Sequence, residues 1–242
     1  MNWTCSFLDK FALLSNSDAH SPEKLGRNAN IFNTALSFPA IVKALKNLSS
    51  NEFVGTIDMF PQEGKYHYDG HRKCGVCFNP AQTLEHKNNC PVCGKELTIG
   101  VMNRIAHLSD RDDLTCRKNR KPFFYIIPLK EIISEAEKAG PSSKKVHNLY
   151  LNLISALGTE LDILLNIPIK KIEAIHVAVA KGIENMRNHC VTKEEGYDGQ
   201  FGKISVLKKT LSSFEKKSSL KQKSLLSFDL KKFHQLKNKL NK

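Results

Sequence analysis

The chain has 242 residues, 40% of them apolar and 25% charged, with a net charge of +13. That composition suits one sizeable hydrophobic core or two small ones and excludes a wholly disordered chain. The longest apolar runs, "FFYII" and "LDILL", are far shorter than a membrane span, and the first residues lack the basic-then-apolar layout of a secretion signal. A cytoplasmic protein with no membrane partner is therefore expected.

The first chemically suggestive stretch is "FALLSNSDAHSPEKLG". Its apolar run followed by small polar residues predicts the end of a buried strand entering a loop. In extended chain Asp18 and His20 project to one side, where a carboxylate and an imidazole can share a divalent ion. An Asx-type turn or a helix start at Ser17 or Ser21 explains the same spacing. Two ligands do not make a hydrolytic centre, which needs three or more together with bound water.

Next comes "EGKYHYDGHR", whose alternation from Lys65 and D-G pair at 69–70 predict a strand ending in a turn. Alternation places Tyr66 and Tyr68 on one side and Lys65, His67 and Asp69 on the other.

"CGVC" at 74–77 and "CPVC" at 90–93 then form a C-x2-C…C-x2-C array, which in a reducing compartment points to metal rather than disulfides. Cys74, Cys77, Cys90 and Cys93 fit a tetrahedral structural zinc site, closed to catalysis because protein fills all four positions. On this reading His67, His71 and His86 are surplus to the metal.

Farther on, "SSKKVHNLYLNLISALG" carries Val146, Leu149, Tyr150, Leu153, Ile154 and Leu157 at helical spacing, with Gly158 as the stop. Thr159 and Asp162 predict a capped new helix, and Pro168 separates it from the apolar-striped "IKKIEAIHVAVAKGIENMRN". "GYDGQFGKISV" reads as a glycine-rich loop entering a strand, with backbone close to DNA or to a neighbouring strand.

The charge is concentrated at the end. Residues 203–242 hold twelve lysines against Glu215 and Asp229, so nearly all of the surplus lies in this tail. Such a tail attracts phosphate backbones without sequence preference, or simply solubilises. Within it, Gln222, Leu225 and Leu226, or Gln222, Leu225 and Phe228, approximate sliding-clamp docking spacings; Leu220, Leu225, Leu226, Phe228 and Phe233 also suit the apolar face of a tail helix packed on the body.

"NSDAHSPEKLGRNANIF", "GTIDMFPQEGKYHYDGHRKCGVC", "CPVCGKELTIGVMNRIAHLSDR", "IIPLKEII" and "GYDGQFG", in that order from Met1 to about Val206, together resemble the endonuclease Q family of DNA repair enzymes. The resemblance implies a polymerase-and-histidinol-phosphatase-type metallohydrolase domain, a small zinc domain and a helical domain. It implies incision of DNA on the 5′ side of deaminated bases (uracil, hypoxanthine) or abasic sites, with Asp18 and His20 as the last two ligands of a hydrolytic centre holding Zn2+, Mn2+ or Mg2+. The family's earlier His-x-His and intermediate ligands have no counterpart here. The chain is thus expected to be a C-terminal part, inactive by itself, or one subunit of a split nuclease whose partner chain carries the missing half. A noncatalytic zinc-ribbon adaptor is the alternative.

Against that background Tyr66, His67, Tyr68, Asp69, His71 and Arg72 are the expected substrate-binding residues. A flipped-out base is read by aromatic stacking and by hydrogen bonds to its exposed edge, and Arg72 suits a phosphate. A half-buried strand whose His and Asp satisfy one another is the structural alternative. The expected architecture is α+β: a metallohydrolase remnant over 1–50, a zinc-ribbon-like β unit over 51–108, a helical domain over 109–206, and a basic tail over 207–242, disordered or helical.

Overall fold

A computed structural model describes residues 3–111, 121–207 and 229–240. In chain order the elements are β1 (Ala29–Phe32), α1 (Phe38–Lys46), β2 (Phe53–Met59), β3 (Asp69–His71), β4 (Val76–Phe78), α2 (Pro80–Glu85), α3 (Val101–Leu108) and β5 (Phe123–Ile126). They continue as α4 (Leu129–Glu137), α5 (Lys144–Leu157), α6 (Glu160–Leu165), α7 (Ile169–Glu173), α8 (Val177–Arg187), β6 (Thr192–Glu194), β7 (Lys203–Ser205) and α9 (Leu230–Leu240). Helices and strands are mixed, as the α+β expectation has it. Among the described residues no helix is long and apolar enough to cross a membrane.

The main core lies between a three-stranded sheet, in the order β1-β2-β5, and the helices α4 to α8. β1 runs antiparallel to β2, and β5 parallel to it. Ile57 and Ile126 from the sheet meet Leu129, Ile132, Ile133, Leu153, Ile163, Ile172, Ile183 and Met186 from the helices. Burying each such side chain contributes about 1.5–3 kcal/mol, so this cluster is the chief source of cohesion. Strand Phe53–Met59, expected to open the zinc unit, is instead the middle strand of this sheet. Its alternate positions Phe53, Gly55 and Ile57 are buried, and Ile57 belongs to the core shared with the helices.

The signals at Gly158, Thr159 and Pro168 act as the sequence suggests, and Ser143 adds a cap. The Ser143 hydroxyl accepts from Val146 N at 3.3 Å to start α5, and Gly158 ends it at φ +103°. The Thr159 hydroxyl accepts from Asp162 N at 3.3 Å while donating to the Asp162 carboxylate at 2.6 Å, and Pro168 precedes α7.

A second, smaller core surrounds Tyr68, Ala81, Met102 and Ala106 beside the β3–β4 hairpin. α9 closes it: Phe233 is fully buried there with Leu230, and Lys232 pairs with Glu85 of α2 at 2.7 Å. α9 thus packs Phe233 on the body. The clamp-spacing residues Gln222, Leu225, Leu226 and Phe228 lie outside the described residues.

Candidate metal centre and nucleic-acid interface

The β3–β4 hairpin is closed by a tight turn over Arg72–Cys74 that requires Gly75 at φ +67°. A second knuckle, Cys90 to Gly94, is closed by Gly94 N donating to Cys90 O at 2.8 Å, with Gly94 at φ +71°. The two turns face one another. Together they bring the side chains of His71, Cys74, Cys90 and Cys93 so close that all four ligand atoms lie within 4.8 Å of one another, and His71 Nδ1 is 3.3 Å from Cys93 Sγ. Three thiols and one imidazole in this space are a donor set suited to zinc in a closed, structural site.

Cys77 is not part of this group, and His71 is, which reverses the assignment expected from the cysteine pairs. The reason is strand alternation. His71 pairs with Val76, whereas Cys77 pairs with Gly70, so the two side chains leave opposite faces of the hairpin. Val76 and Phe78 pack beside Cys74, Cys90 and Leu97, while Cys77 packs against the Tyr68 cluster. Burial there pushes its thiol up to about 11, helped by the Glu195 and Asp69 carboxylates, so it stays protonated. The signal in the sequence was the spacing H-x2-C at 71–74, which matches a knuckle as well as C-x2-C does. His86 stands apart, stacked on Phe78 at 4.8 Å.

The six residues expected to touch substrate are placed very differently from one another. Only Asp69–His71 is strand; Lys65–Tyr68 is not. Tyr66 is 50% exposed, whereas Tyr68 is buried in the small core, so the two tyrosines do not share a face. Asp69 is fully buried, and its carboxylate accepts from Thr83 Oγ1, Gly100 N and Asn103 Nδ2, each at 2.6 Å. Burial pushes its pKa up, and these three bonds oppose the shift. It joins β3, α2 and α3 rather than reaching outward. His67 is buried too. Burial lowers its pKa to about 4, against a bond to the Pro61 carbonyl and with Lys193 adding to the shift; its Nε2 has no hydrogen-bond partner among the described residues. His67 and Asp69 do not satisfy one another, contrary to the structural alternative.

Arg72 is exposed, and its backbone N donates to Asp198 Oδ2 at 2.7 Å, while Asp198 Oδ1 accepts from Thr98 at 2.7 Å. Asp198 sits in the glycine-rich loop, whose backbone the sequence places close to DNA or to a neighbouring strand. The neighbour is protein. A Cβ at Gly196 would lie 2.2 Å from Gly64 O, and one at Gly202 2.0 Å from Gln62 O, so the loop's backbone runs against 62–64 where only glycine fits. Tyr68 N donates to Gly196 O at 2.9 Å, and Gly199 N to Lys65 O at 3.1 Å, fixing loop and segment as one surface.

Asp18 and His20 are both exposed, with His20 Nδ1 2.6 Å from the carbonyl oxygen of Asp18. The one cluster of three or more metal-binding side chains among the described residues is that around His71.

Residues 128–190 match the model of the MJ0043 C-terminal domain. Over 200 residues the chain is 34% identical to the uncharacterized protein MJ0043 of Methanocaldococcus jannaschii, covering 79% of this chain and 25% of the relative. Over 161 residues it is 32% identical to the uncharacterized protein YqxK of Bacillus subtilis strain 168, covering 66% of this chain and 37% of the relative. Among solved structures, it is similar to the lesion-specific endonuclease PfuEndoQ of Pyrococcus furiosus, with 30% identity and a TM-score of 0.76 over 86% of this chain and 54% of that one. It is also similar to endonuclease Q in complex with a 27-mer duplex bearing an abasic lesion at the active site, with 30% identity and a TM-score of 0.72 over 88% of this chain and 55% of that one. The chain thus spans about half the length of these solved structures and from a quarter to little more than a third of the curated relatives.

Proposed function

We propose that this chain serves an endonuclease Q-type DNA repair activity, as the part that binds duplex DNA at deaminated bases (uracil, hypoxanthine) or abasic sites so that the phosphodiester can be cut on the 5′ side. The observation that carries this is the similarity, at 30% identity over most of the chain, to endonuclease Q structures, one of them a complex with lesion-bearing duplex. In this reading the zinc knuckles and the buried Asp69 hold the 62–72 segment and the glycine-rich loop rigid. Tyr66 and Arg72, the outward-facing members of the motif, make the direct contacts, with Arg72 on phosphate. His67, Tyr68 and Asp69 set the shape behind them, and His71 contributes through the metal.

Incision needs a hydrolytic centre. Asp18 and His20 are two of its ligands in this proposal, shared with a divalent ion (Zn2+, Mn2+ or Mg2+) once further ligands are supplied by a longer chain or by a partner. These 242 residues alone then bind lesion-bearing duplex and do not cut it.

The test is a pair of assays on the chain as given: affinity for duplexes carrying uracil, hypoxanthine or an abasic site against an intact duplex, and incision of the same duplexes with Mg2+ or Mn2+. Preferential binding without cutting is expected. Equal affinity for lesion and intact duplex refutes the recognition role, and cutting abolished by Asp18→Ala refutes the incompleteness of the centre.

A further inference from the structure

The most exposed aromatic ring in the described glycine-rich loop is Phe201, at 68% relative exposure, and it has no place in the chemistry assigned so far. Leaving a phenyl ring in water forgoes burial that folding normally captures, so an isolated exposed ring is unremarkable, but one built into a rigid, charged surface is a candidate contact. Three observations build that surface. The Lys65 ammonium lies 4.6 Å from the centre of the Phe201 ring. Gly199 N donates to Lys65 O, and the position a Cβ would take at Gly199 is 3.7 Å from the Tyr66 hydroxyl and 4.0 Å from Arg72 Nη1. Tyr66 itself is half exposed, and its carbonyl accepts from Val101 N at 2.7 Å, which pins its backbone to the start of α3.

Two solvent-facing rings, Tyr66 and Phe201, therefore stand on one backbone platform, with a lysine and an arginine beside them. The platform is stiff because the glycines at 196 and 202 press the loop onto 62–64. Aromatic faces interleaved with cations are what binds unstacked nucleotides: the rings stack on bases of any identity, and the cations meet the flanking phosphates.

We propose that Tyr66 and Phe201 form a stacking platform for unpaired bases of a single DNA strand, with Lys65 and Arg72 holding the phosphates on either side. This rests on the reading above that the chain works on DNA, and it deepens that reading by naming the local strand separation, with Phe201 as a contact residue. Lys65 over the ring keeps Phe201 oriented in the absence of DNA, and a base then covers the ring's free face.

The experiment measures binding of the full chain to a single-stranded oligonucleotide carrying 2-aminopurine and to duplexes with and without an abasic site, at about 0.2 M salt to weaken the contribution of the lysine tail. Stacking quenches 2-aminopurine, so the parent should bind the single strand with loss of fluorescence. Phe201→Leu and Tyr66→Leu should each weaken that binding roughly tenfold and lose the quenching. Phe201→Trp should keep both. Phe201 is surface-exposed, so its replacement leaves the fold intact, which a matching thermal transition verifies. If both leucine variants bind and quench as the parent does, or if the parent does not bind the single strand, the platform is refuted. A parent that binds the single strand in a Phe201-dependent way but does not distinguish abasic from intact duplex supports the platform and refutes the lesion reading instead.

Discussion

His71 Nδ1 lies 3.3 Å from Cys93 Sγ, 22 residues on in the chain and on the facing knuckle. This juxtaposition puts His71 with Cys74, Cys90 and Cys93 in the group that could hold a metal and leaves Cys77 outside it. Cys77→Ser should therefore retain one zinc per chain. His71→Ala and Cys90→Ser should lower zinc affinity by more than the ten- to hundredfold typical of a supporting residue. Elemental analysis after gel filtration, with competition by a chromogenic chelator, checks this; zinc lost from Cys77→Ser and kept by His71→Ala would reverse the ligand set.

Asp69 is predicted to matter for stability whatever it does for substrate. Its removal takes the shared acceptor from three buried donors, of which the Thr83 hydroxyl also reaches the Asn79 carbonyl oxygen at 3.3 Å. Asp69→Ala should cost about 3–5 kcal/mol in urea unfolding. Asp69→Asn should cost less, because one oxygen remains to accept. A stability equal to the parent's in both variants would return Asp69 to the list of purely functional residues.

Glu63 gives the fold a pH dependence. Burial, then the neighbouring Glu131 carboxylate, raises its pKa to about 7 against the opposing pull of Arg27. An unfolded glutamate ionises near its usual value of about 4.5, so between about 4.5 and 7 the native state holds more protons than the unfolded state. Glu63 therefore costs stability as pH rises through this window, and the cost is fully present above it. Glu63→Gln should raise stability at pH 8 by on the order of 1–3 kcal/mol and change little at pH 4. Denaturant unfolding of both proteins at the two pH values measures the difference; an equal shift at both would show that charge is not the cause.

The tail helix is held by one large side chain. Phe233 is fully buried and meets the ring of His107 edge-on at 5.0 Å. Phe233→Ala should cost about 3–5 kcal/mol of the small core's stability. It should also release α9 to rapid amide exchange while the α4–α8 core keeps its protection. Slow exchange persisting in Leu230–Leu240 of the variant would show that Lys232 and Leu230 suffice.

Much of this was written locally. The helix stops and starts at Gly158, Thr159 and Pro168 depend on capping and backbone freedom within four residues, which a linear pattern displays. The second knuckle, Cys90 to Cys93, was visible for the same reason, since it is a four-residue turn; of the first, Cys74 was visible and His71 was not.

What only the tertiary structure decided were relationships between segments far apart in sequence. The sheet joins β2 to β5 across some sixty residues, and no local periodicity announces that partner. Tyr66 and Tyr68 looked equivalent by alternation, yet the chain is not extended there, because backbone bonds to Gly196, Gly199 and α3 bend it and send one ring into the core and the other into water. Cys77 carried the right spacing and lost its place to His71 because pairing with Gly70 turned it to the other face of the hairpin. Spacing fixes which atoms can reach a common point; which of them do is set by the face each side chain leaves from, and that depends on strand pairing and on the core behind it.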